Sequence, residues 1–254
     1  MEFSIHPGGT SCGEARVPGD KSISHRAIML GSLAEGETRV TGFLEGEDAL
    51  ATLAAFRAMG VEIERHGEGG VSVQGVGLNG LREPAAPLDL GNSGTSIRLM
   101  SGLLAGQAFA CELTGDASLC SRPMARVITP LSHMGADIKG AEGQRPPLRI
   151  APVAGLQGIH YDLPMASAQV KSCVLLAGLY ADGQTSVTEP AVTRDHTERM
   201  LRGFGYPVQR SPEGVISLQG GGRLAAAQID IPADISSAAF FMVAASIAPG
   251  SELV

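Results

Sequence analysis

Polar and apolar positions repeat along this chain in a regular order. Each unit starts with small polar residues, continues as an apolar helix, and passes through a glycine turn into a β-rich run. The pattern opens at Ser24, Thr95, Ser167 and Ser236, and its turn glycines lie roughly 70 residues apart, at positions 36, 106, 183 and 250. Three full units and the start of a fourth fit the chain.

A second helix recurs in each unit and ends in an apolar residue followed by glycine. This junction occurs at Met59-Gly60, Met134-Gly135 and Phe204-Gly205. Glycine is typical of a helix C-cap because it adopts left-handed backbone angles. With closing β-rich stretches, the order becomes βαβαββ. The sequence predicts an α/β fold of three such units over residues 15–228, with residues 229–254 starting another domain.

Composition indicates a globular protein with a substantial core. Hydrophobic residues make up 44% and charged residues 18% of the 254, and no apolar run is long enough to span a bilayer. The first residues lack the pattern of a signal peptide, so we expect a cytoplasmic protein without membrane partners. Four scattered cysteines indicate reduced thiols rather than a disulfide framework or a zinc site.

The net charge of −7 does not favour nucleic-acid binding. An anionic ligand would therefore need local clusters of cations. Such clusters occur at residues 21–26, 122–126 and 194–199. We expect no cofactor and no metal site, since the Asp and His of the third cluster are adjacent and no second ligand set accompanies them.

The stretch from Pro18 to Arg26 predicts a turn followed by a helix start. Ser22 could cap the helix, and its free first-turn N–H groups could face an anion. Lys21 and Arg26 would add two cations to such a site. An ordinary capped helix with solvated charges explains the stretch equally well.

Two later helix starts follow similar logic. Residues 90–98 combine hydroxyls, Gly94 and a cation one turn further on, and a capped helix is again an equal alternative. Arg122 stands before Pro123, which suits a first helical position. A cation at a helix N-terminus opposes the dipole, which favours an anion nearby.

The third helix start, residues 165–172, carries neutral hydrogen-bonding groups suited to the hydroxyls of a polyol ring. The charges of residues 194–199 are expected mostly on the solvated face of a second helix. Residues 75–80 match G-x-G-x-x-G, but the prolines at 84 and 87 argue against a following helix. A loop between repeats is the better interpretation there.

Five motifs together resemble the 5-enolpyruvylshikimate-3-phosphate synthase family in its bacterial form. In chain order they are Pro-Gly-Asp-Lys-Ser-Ile-Ser-His-Arg, Gly-Asn-Ser-Gly-Thr-Ser-Ile-Arg-Leu, Gly-Asp-Ala-Ser-Leu with Arg-Pro-Met, Ser-Ala-Gln-Val-Lys-Ser, and Arg-Asp-His-Thr-Glu-Arg-Met. The resemblance implies an inside-out α/β barrel of βαβαββ units, with two such domains closing over a cleft. Residues 1–14 would form a strand packed with the second domain.

The resemblance also implies roles for individual residues. The shikimate 3-phosphate side would include Lys21, Ser22, Arg26, Ser167, Ala168, Gln169 and Arg194. The phosphoenolpyruvate side, where glyphosate also binds, would include Asn92, Gly94 and Arg122. Lys21 would also reach phosphoenolpyruvate and act in catalysis, and Gln169 would border both ligands. Gly94 matches the glyphosate-sensitive pattern, whereas Leu99 stands where many sensitive members carry proline.

The activity implied is transfer of the enolpyruvyl group to the 5-hydroxyl of shikimate 3-phosphate, in the shikimate pathway to chorismate and aromatic amino acids. The family's catalytic Asp and Glu belong to the second domain, so we expect these 254 residues to be inactive alone. The intact enzyme is expected to be monomeric, while the apolar tail at 240–243 could be disordered, swapped or paired with another chain. Alternatives are a UDP-N-acetylglucosamine enolpyruvyl transferase and a non-catalytic module that binds a phosphorylated polyol.

Overall fold

The computed structural model describes residues 8–254. The first part of the chain contains β1 (Cys12–Gly13), α1 (Lys21–Leu33), β2 (Ala34–Thr41), α2 (Glu47–Ala58), β3 (Glu62–Gly67) and β4 (Gly70–Val76). The second part contains β5 (Leu88–Asp89), α3 (Gly94–Leu104), β6 (Cys111–Thr114), α4 (Ala117–Cys120), α5 (Ala125–His133), β7 (Asp137–Ala141) and β8 (Arg145–Ala151).

The third part contains β9 (Leu156–Gln157), β10 (His160–Asp162), α6 (Ala168–Gly178), β11 (Ala181–Asp182), β12 (Gln184–Thr188), α7 (His196–Gly203), β13 (Gln209–Arg210) and β14 (Ile216–Gln219). The chain continues through β15 (Leu224–Ala225), β16 (Gln228–Asp230), α8 (Ile235–Ile247) and β17 (Glu252–Leu253). The predicted mixed α/β fold is confirmed.

Three sheets share one strand order. The second and third sheets run β5-β6-β8-β7 and β10-β12-β14-β13, with one parallel pair followed by two antiparallel pairs. The first sheet runs β15-β2-β4-β3, and β16 also pairs with β2. Its parallel strand therefore comes from residues 224–230, after the third sheet is complete.

Three helices, α1, α3 and α6, form the centre of the fold. Every residue of α1 from Ser24 to Leu33 is buried, which is typical of a helix surrounded by other elements. Helices α3 and α6 pack backbone to backbone at Gly102, where an added Cβ would lie 2.2 Å from the carbonyl oxygen of Cys173. The starts of these helices carry the residues of the candidate site.

The predicted C-cap glycines are confirmed. Gly60, Gly135 and Gly205 follow α2, α5 and α7 with φ angles of 88°, 91° and 77°. The loop predicted at residues 75–80 is correct only for residues 77–80, because Gly75 and Val76 still belong to β4; the next helix, α3, begins at Gly94.

The two ends of the described chain meet. Strand β1 pairs in parallel with β17, with Cys12 opposite Glu252. The predicted N-terminal strand at 1–14 falls partly on residues 1–7, which lie outside the described residues. The apolar tail forms α8, and none of its residues is buried; Phe240 is 81% exposed. Across residues 8–254, no helix combines the length and apolar character needed to cross a membrane.

Candidate functional site

The start of α1 presents Lys21 and Ser22 at the surface. Asp20, rather than the predicted Ser22, caps this helix: its carboxylate accepts a hydrogen bond from the Ile23 N–H at 2.8 Å. A cap must precede the first helical residue, and Ser22 already lies inside α1. The Ser22 hydroxyl is therefore not used as the cap. Lys21 Nζ lies 3.2 Å from Asp48 Oδ2 in an exposed ion pair.

Arg26 lies one turn further and is only 4% exposed. Its Nε donates to Thr197 Oγ1 at 2.6 Å, Nη1 donates to the Ser22 carbonyl at 2.9 Å, and Nη2 donates to Ser172 Oγ at 2.8 Å. A guanidinium has five N–H groups, so Nη1 and Nη2 each retain one for a ligand. Burial lowers the pKa of Arg26 to about 10, and the Glu198 carboxylate opposes this shift. Arg26 stays a cation at neutral pH.

Arg194 is exposed and precedes α7. Its positive charge contributes to lowering the pKa values of Arg26 and His196, although burial is the larger cause for both. Lys21, Arg26 and Arg194 form the first cation cluster of the site.

A second cluster lies around the start of α3. Ser93 caps the helix by accepting from the Ser96 N–H at 3.1 Å. Arg122 donates through Nη2 to Asn92 Oδ1, and Asn92 Nδ2 donates to Asp116 Oδ2 at 2.7 Å. That second bond is the main reason why the pKa of Asp116 is below its usual value.

Gly94 provides space for the second cluster. An added Cβ there would lie 2.7 Å from Nη1 of Arg122 and 2.7 Å from Nη1 of Arg98. Glycine therefore lets two guanidinium groups approach the first turn of α3. The helix dipole does not favour cations at that end, so this arrangement suits an anionic ligand.

The expected placement of Arg122 at a helix start is wrong in detail. Helix α5 begins at Ala125 with Met124 as its N-cap, so Pro123 does not occupy the first helical position. Arg122 follows the short α4 instead and turns toward Asn92. The expected solvated face of α7 is also wrong for Glu198, which is 2% exposed and paired with Lys171.

The start of α6 joins the two clusters. Ser167 caps α6 by accepting from the Val170 N–H at 3.3 Å, and Ala168 is the first helical residue. Gln169 accepts from Arg98 Nη1 at 3.1 Å, whereas Ser172 accepts from Arg26. Positions 169 and 172 are about one turn apart on a helix, so both clusters flank a single surface.

Beneath the site, a buried chain of polar groups connects α1 and α2 to the start of α3. His25 Nδ1 lies 2.8 Å from Thr52 Oγ1 and 3.2 Å from Ser96 Oγ, and Ser96 Oγ lies 2.6 Å from Ser93 Oγ. Burial lowers the pKa of His25 to about 4. This neutral imidazole links α1 to the cap of α3.

The structure therefore brings all the predicted site residues to the starts of α1, α3 and α6 and to the segments before α5 and α7. The pattern of residues 90–98 indicated Arg98 as a cation one turn after Gly94, but the family resemblance gave it no role. In the structure, burial lowers the pKa of Arg98, and Arg122 and Arg126 lower it further. Its position four residues after Gly94 places it on the same helical face. Phosphate and carboxylate groups suit this set of cations, which comprises Lys21, Arg26, Arg98, Arg122 and Arg194.

Comparison with known proteins agrees with this chemistry. The family profile described as EPSP synthase (3-phosphoshikimate 1-carboxyvinyltransferase) matches residues 5–254. The 3-phosphoshikimate 1-carboxyvinyltransferase of Hydrogenovibrio crunogenus is 66% identical over 258 residues, covering 100% of this chain and 58% of the relative. The protein of the same name from Methylococcus capsulatus is 67% identical over 251 residues, covering 99% of this chain and 57% of the relative.

The solved structure of EPSP synthase from Acinetobacter baumannii superimposes with a TM-score of 0.91 at 59% identity, covering 97% of this chain and 56% of that one. The chain thus spans somewhat more than half the length of the relatives that it matches. Because the family profile extends over nearly every residue and the fold agrees with a solved member, the chain belongs to the EPSP synthase (3-phosphoshikimate 1-carboxyvinyltransferase) family.

Proposed function

We propose that the paired cation clusters bind shikimate 3-phosphate and phosphoenolpyruvate, and that the protein transfers the enolpyruvyl group to the 5-hydroxyl of shikimate 3-phosphate. One observation carries this proposal: Gln169 and Ser172, about one turn apart on α6, contact Arg98 and Arg26 of the two clusters. Two anionic ligands bound there would lie side by side. Relatives named for this reaction support the same assignment.

The first cluster is assigned to shikimate 3-phosphate. Lys21, Ser22, Arg26 and Arg194 offer cations and a hydroxyl, and Ser167, Ala168 and Gln169 offer hydrogen-bonding groups at the start of α6. A phosphate ester matches the cations, and the ring hydroxyls match the neutral groups. We assign Asn92, Gly94 and Arg122 to phosphoenolpyruvate, and to glyphosate as a competing inhibitor.

The chemistry needs charge stabilisation more than a nucleophile from the protein. The substrate hydroxyl adds to phosphoenolpyruvate, a tetrahedral intermediate forms, and phosphate leaves with its electron pair. Fixed cations stabilise the leaving phosphate and the carboxylate. Lys21, at the border of both ligands, is proposed as the catalytic cation. Proton transfer requires carboxylates, which we place in the part of the family that this chain does not span.

The same proposal includes the barrel architecture and a second domain. The shared strand order of the three sheets supports an inside-out α/β barrel over residues 15–228, and the pairing of β1 with β17 supports a second domain that begins in residues 229–254 and packs on the N-terminal strand. We further propose a monomeric enzyme with no cofactor. Four free thiols fit a reducing cytoplasm.

Calorimetric titration tests the binding proposal directly. The 254-residue chain should bind shikimate 3-phosphate, and Lys21→Ala should weaken binding about ten-fold or more, as expected for a lost charge-assisted contact. Lys139→Ala is the matched control, because Lys139 is also exposed and paired with an aspartate. Binding should occur without turnover by these residues alone.

Three results would contradict the proposal. These are no heat of binding with shikimate 3-phosphate, equal effects of the two lysine substitutions, or tighter binding of UDP-N-acetylglucosamine. The last result would favour the transferase that acts on UDP-sugars.

A further inference from the structure

A buried group of charges lies directly behind the first cation cluster. Lys171, on α6, has a completely buried side chain, and its Nζ lies 2.7 Å from Glu198 Oε1 and 3.0 Å from Glu189 Oε2. Each of the two glutamate side chains is 3% exposed. Burying charges this deeply is costly even when they are paired, so apolar residues could fill the same space at less cost. The position of these charges therefore calls for an explanation beyond packing.

Both halves of the Lys171–Glu198 pair adjoin the groups that hold Arg26. Thr197 precedes Glu198 and accepts from Arg26 Nε at 2.6 Å, while Ser172 follows Lys171 and accepts from Arg26 Nη2 at 2.8 Å. The two hydroxyl oxygens are 2.7 Å apart. Any shift of α7 relative to α6 would separate these hydroxyls and release the guanidinium. The ion pair links the two helices at that level.

Glu189 extends the group toward Arg194. Its Oε2 accepts a hydrogen bond from the hydroxyl of Thr193, the residue before Arg194. The segment between β12 and α7 is thereby tied to the buried lysine at one end and to Arg194 at the other. Lys171 thus contacts, through one glutamate each, the helix whose Thr197 holds Arg26 and the segment that carries Arg194.

The charges of the group balance. Arg26 and Lys171 supply two positive charges, and Glu189 and Glu198 supply two negative charges, all in buried side chains. Among residues 8–254, Lys171 Nζ, Glu189 Oε1 and both carboxylate oxygens of Glu198 have no hydrogen-bond partner of normal geometry, so the contacts of Lys171 are close ion pairs without aligned hydrogen bonds. Removing one charge would leave an unpaired ion in a region of low polarity, where the remaining groups would rearrange.

We propose that Lys171, Glu189 and Glu198 are positioning residues, which hold Arg26 and Arg194 in the geometry that binds the phosphorylated substrate without touching it themselves. The proposal rests on the proposed function of the first cluster. One part of the proposal, that these residues hold Arg26 in place, can be measured without any ligand. The two parts can therefore fail separately.

The ligand-free measurement is hydrogen exchange of the Arg26 Nε–H by ¹⁵N NMR, with Arg26→Lys used to assign the signal. Glu198→Gln keeps the size of the side chain but removes its charge. Exchange at Arg26 should become about ten-fold faster in this variant, in line with coupling within one ionic network. The matched control is Glu112→Gln, since Glu112 forms an exposed pair with Arg149.

The ligand measurement compares affinities at the two clusters. In Glu198→Gln, the Kd for shikimate 3-phosphate should rise about ten-fold relative to wild type. The Kd for phosphoenolpyruvate, measured in the same variant, should change less than two-fold. Lys171→Met combined with Glu198→Gln restores the charge balance. A structural role alone predicts that this double variant recovers both thermal stability and affinity, whereas positioning predicts recovery of stability only.

Thr193→Val provides a second variant if Glu198→Gln does not fold, because it cuts only the link from Glu189 to the Arg194 segment. It should weaken shikimate 3-phosphate binding without slowing or speeding exchange at Arg26. Unchanged exchange at Arg26 in folded Glu198→Gln, or full recovery of affinity in the double variant, would overturn the positioning role. Absence of binding by the wild-type chain would instead overturn the proposed function.

Discussion

Gln169 and Arg98 are joined by a 3.1 Å hydrogen bond from Nη1 of the arginine to Oε1 of the glutamine. The same amide donates through Nε2 to Thr95 Oγ1, also at 3.1 Å. One neutral side chain on α6 therefore fixes a cation and a hydroxyl on α3. Without it, the only remaining hydrogen-bond partner of Arg98 among the described residues is the Gly94 carbonyl at 2.9 Å.

Gln169→Ala should therefore weaken ligand binding more than it weakens the fold. Loss of two hydrogen bonds at a partly solvated site is expected to cost about 1 kcal/mol of unfolding free energy or less, while the freed Arg98 and the lost ligand contact should raise Kd values about ten-fold. Urea unfolding and calorimetry measure the two effects. Gln157→Ala, at an exposed strand position, serves as the control. Equal Kd values in both variants would contradict the linking role.

Gly94→Ala should disturb the second cluster selectively. The new methyl group would meet Arg98 and Arg122 at the far ends of their side chains, which can move, so the protein should still fold. Their displacement should weaken phosphoenolpyruvate binding several-fold and, in a complete enzyme, weaken inhibition by glyphosate. A steady-state assay at increasing glyphosate measures this. The enzyme with Gly94 should be inhibited below millimolar glyphosate.

Gly203→Ala is the control for the glycine substitution. Gly203 ends α7, has an ordinary φ angle, and has open space around its missing Cβ. Alanine there should leave ligand affinity unchanged and stabilise the helix by up to about 1 kcal/mol. A loss of affinity in this variant as large as that in Gly94→Ala would show that the second cluster is not the cause.

His25 should make stability depend on pH between about 4 and 6.5. The imidazole has a pKa of about 4 in the fold, against about 6.5 for an unperturbed histidine. As pH falls through this window, the unfolded state gains the proton first, so the folded state loses stability, by about 3 kcal/mol in total. Asp48 opposes the shift, whereas Arg26 and Lys21 add to it.

Urea unfolding of wild type and His25→Gln from pH 4 to pH 7.5 measures this contribution. The variant should show a shallower loss of stability on acidification. His196 also has a lowered pKa but is present in both proteins, so its contribution cancels in the comparison. Parallel pH profiles would show that the pKa of His25 is the same in the folded and unfolded states.

Gly102→Ala should destabilise the centre of the fold. The methyl group would overlap the backbone carbonyl of Cys173, so α3 and α6 would have to separate. Forced overpacking of this kind costs roughly 1–3 kcal/mol, and more when backbone must move. Thermal unfolding compares it with Gly203→Ala. Because the starts of α3 and α6 both carry site residues, ligand affinity should fall as well.

The recurring helix ends were predictable because their signals are local. A glycine that must adopt a left-handed conformation after each second helix leaves a mark in the sequence, and Gly60, Gly135 and Gly205 all behave accordingly. The cap of α1 was less predictable, since Asp20 and Ser22 are both good capping residues two positions apart. Only the observed helix start at Lys21 decides between them.

Contacts between helices could not be predicted from the sequence. Glu198 belongs to a charged stretch, and helical periodicity alone does not show which of its charges meets a buried partner on another helix. Lys171 likewise stands in an apolar helix with no local signal that two glutamates, at positions 189 and 198, will surround it. The motif resemblance supplied the candidate site residues, while the buried groups that contact Arg26 required the structure.

The strand that completes the first sheet has a consequence for synthesis. Strand β2 keeps one open edge until residues 224–230 arrive to pair with it. The N-terminus emerges first from the ribosome. That edge therefore stays uncovered while the second and third sheets are made. The helix start that carries Lys21 and Arg26 therefore acquires part of its surroundings only after residues 224–230 have emerged, although it is among the first parts of the protein to be made.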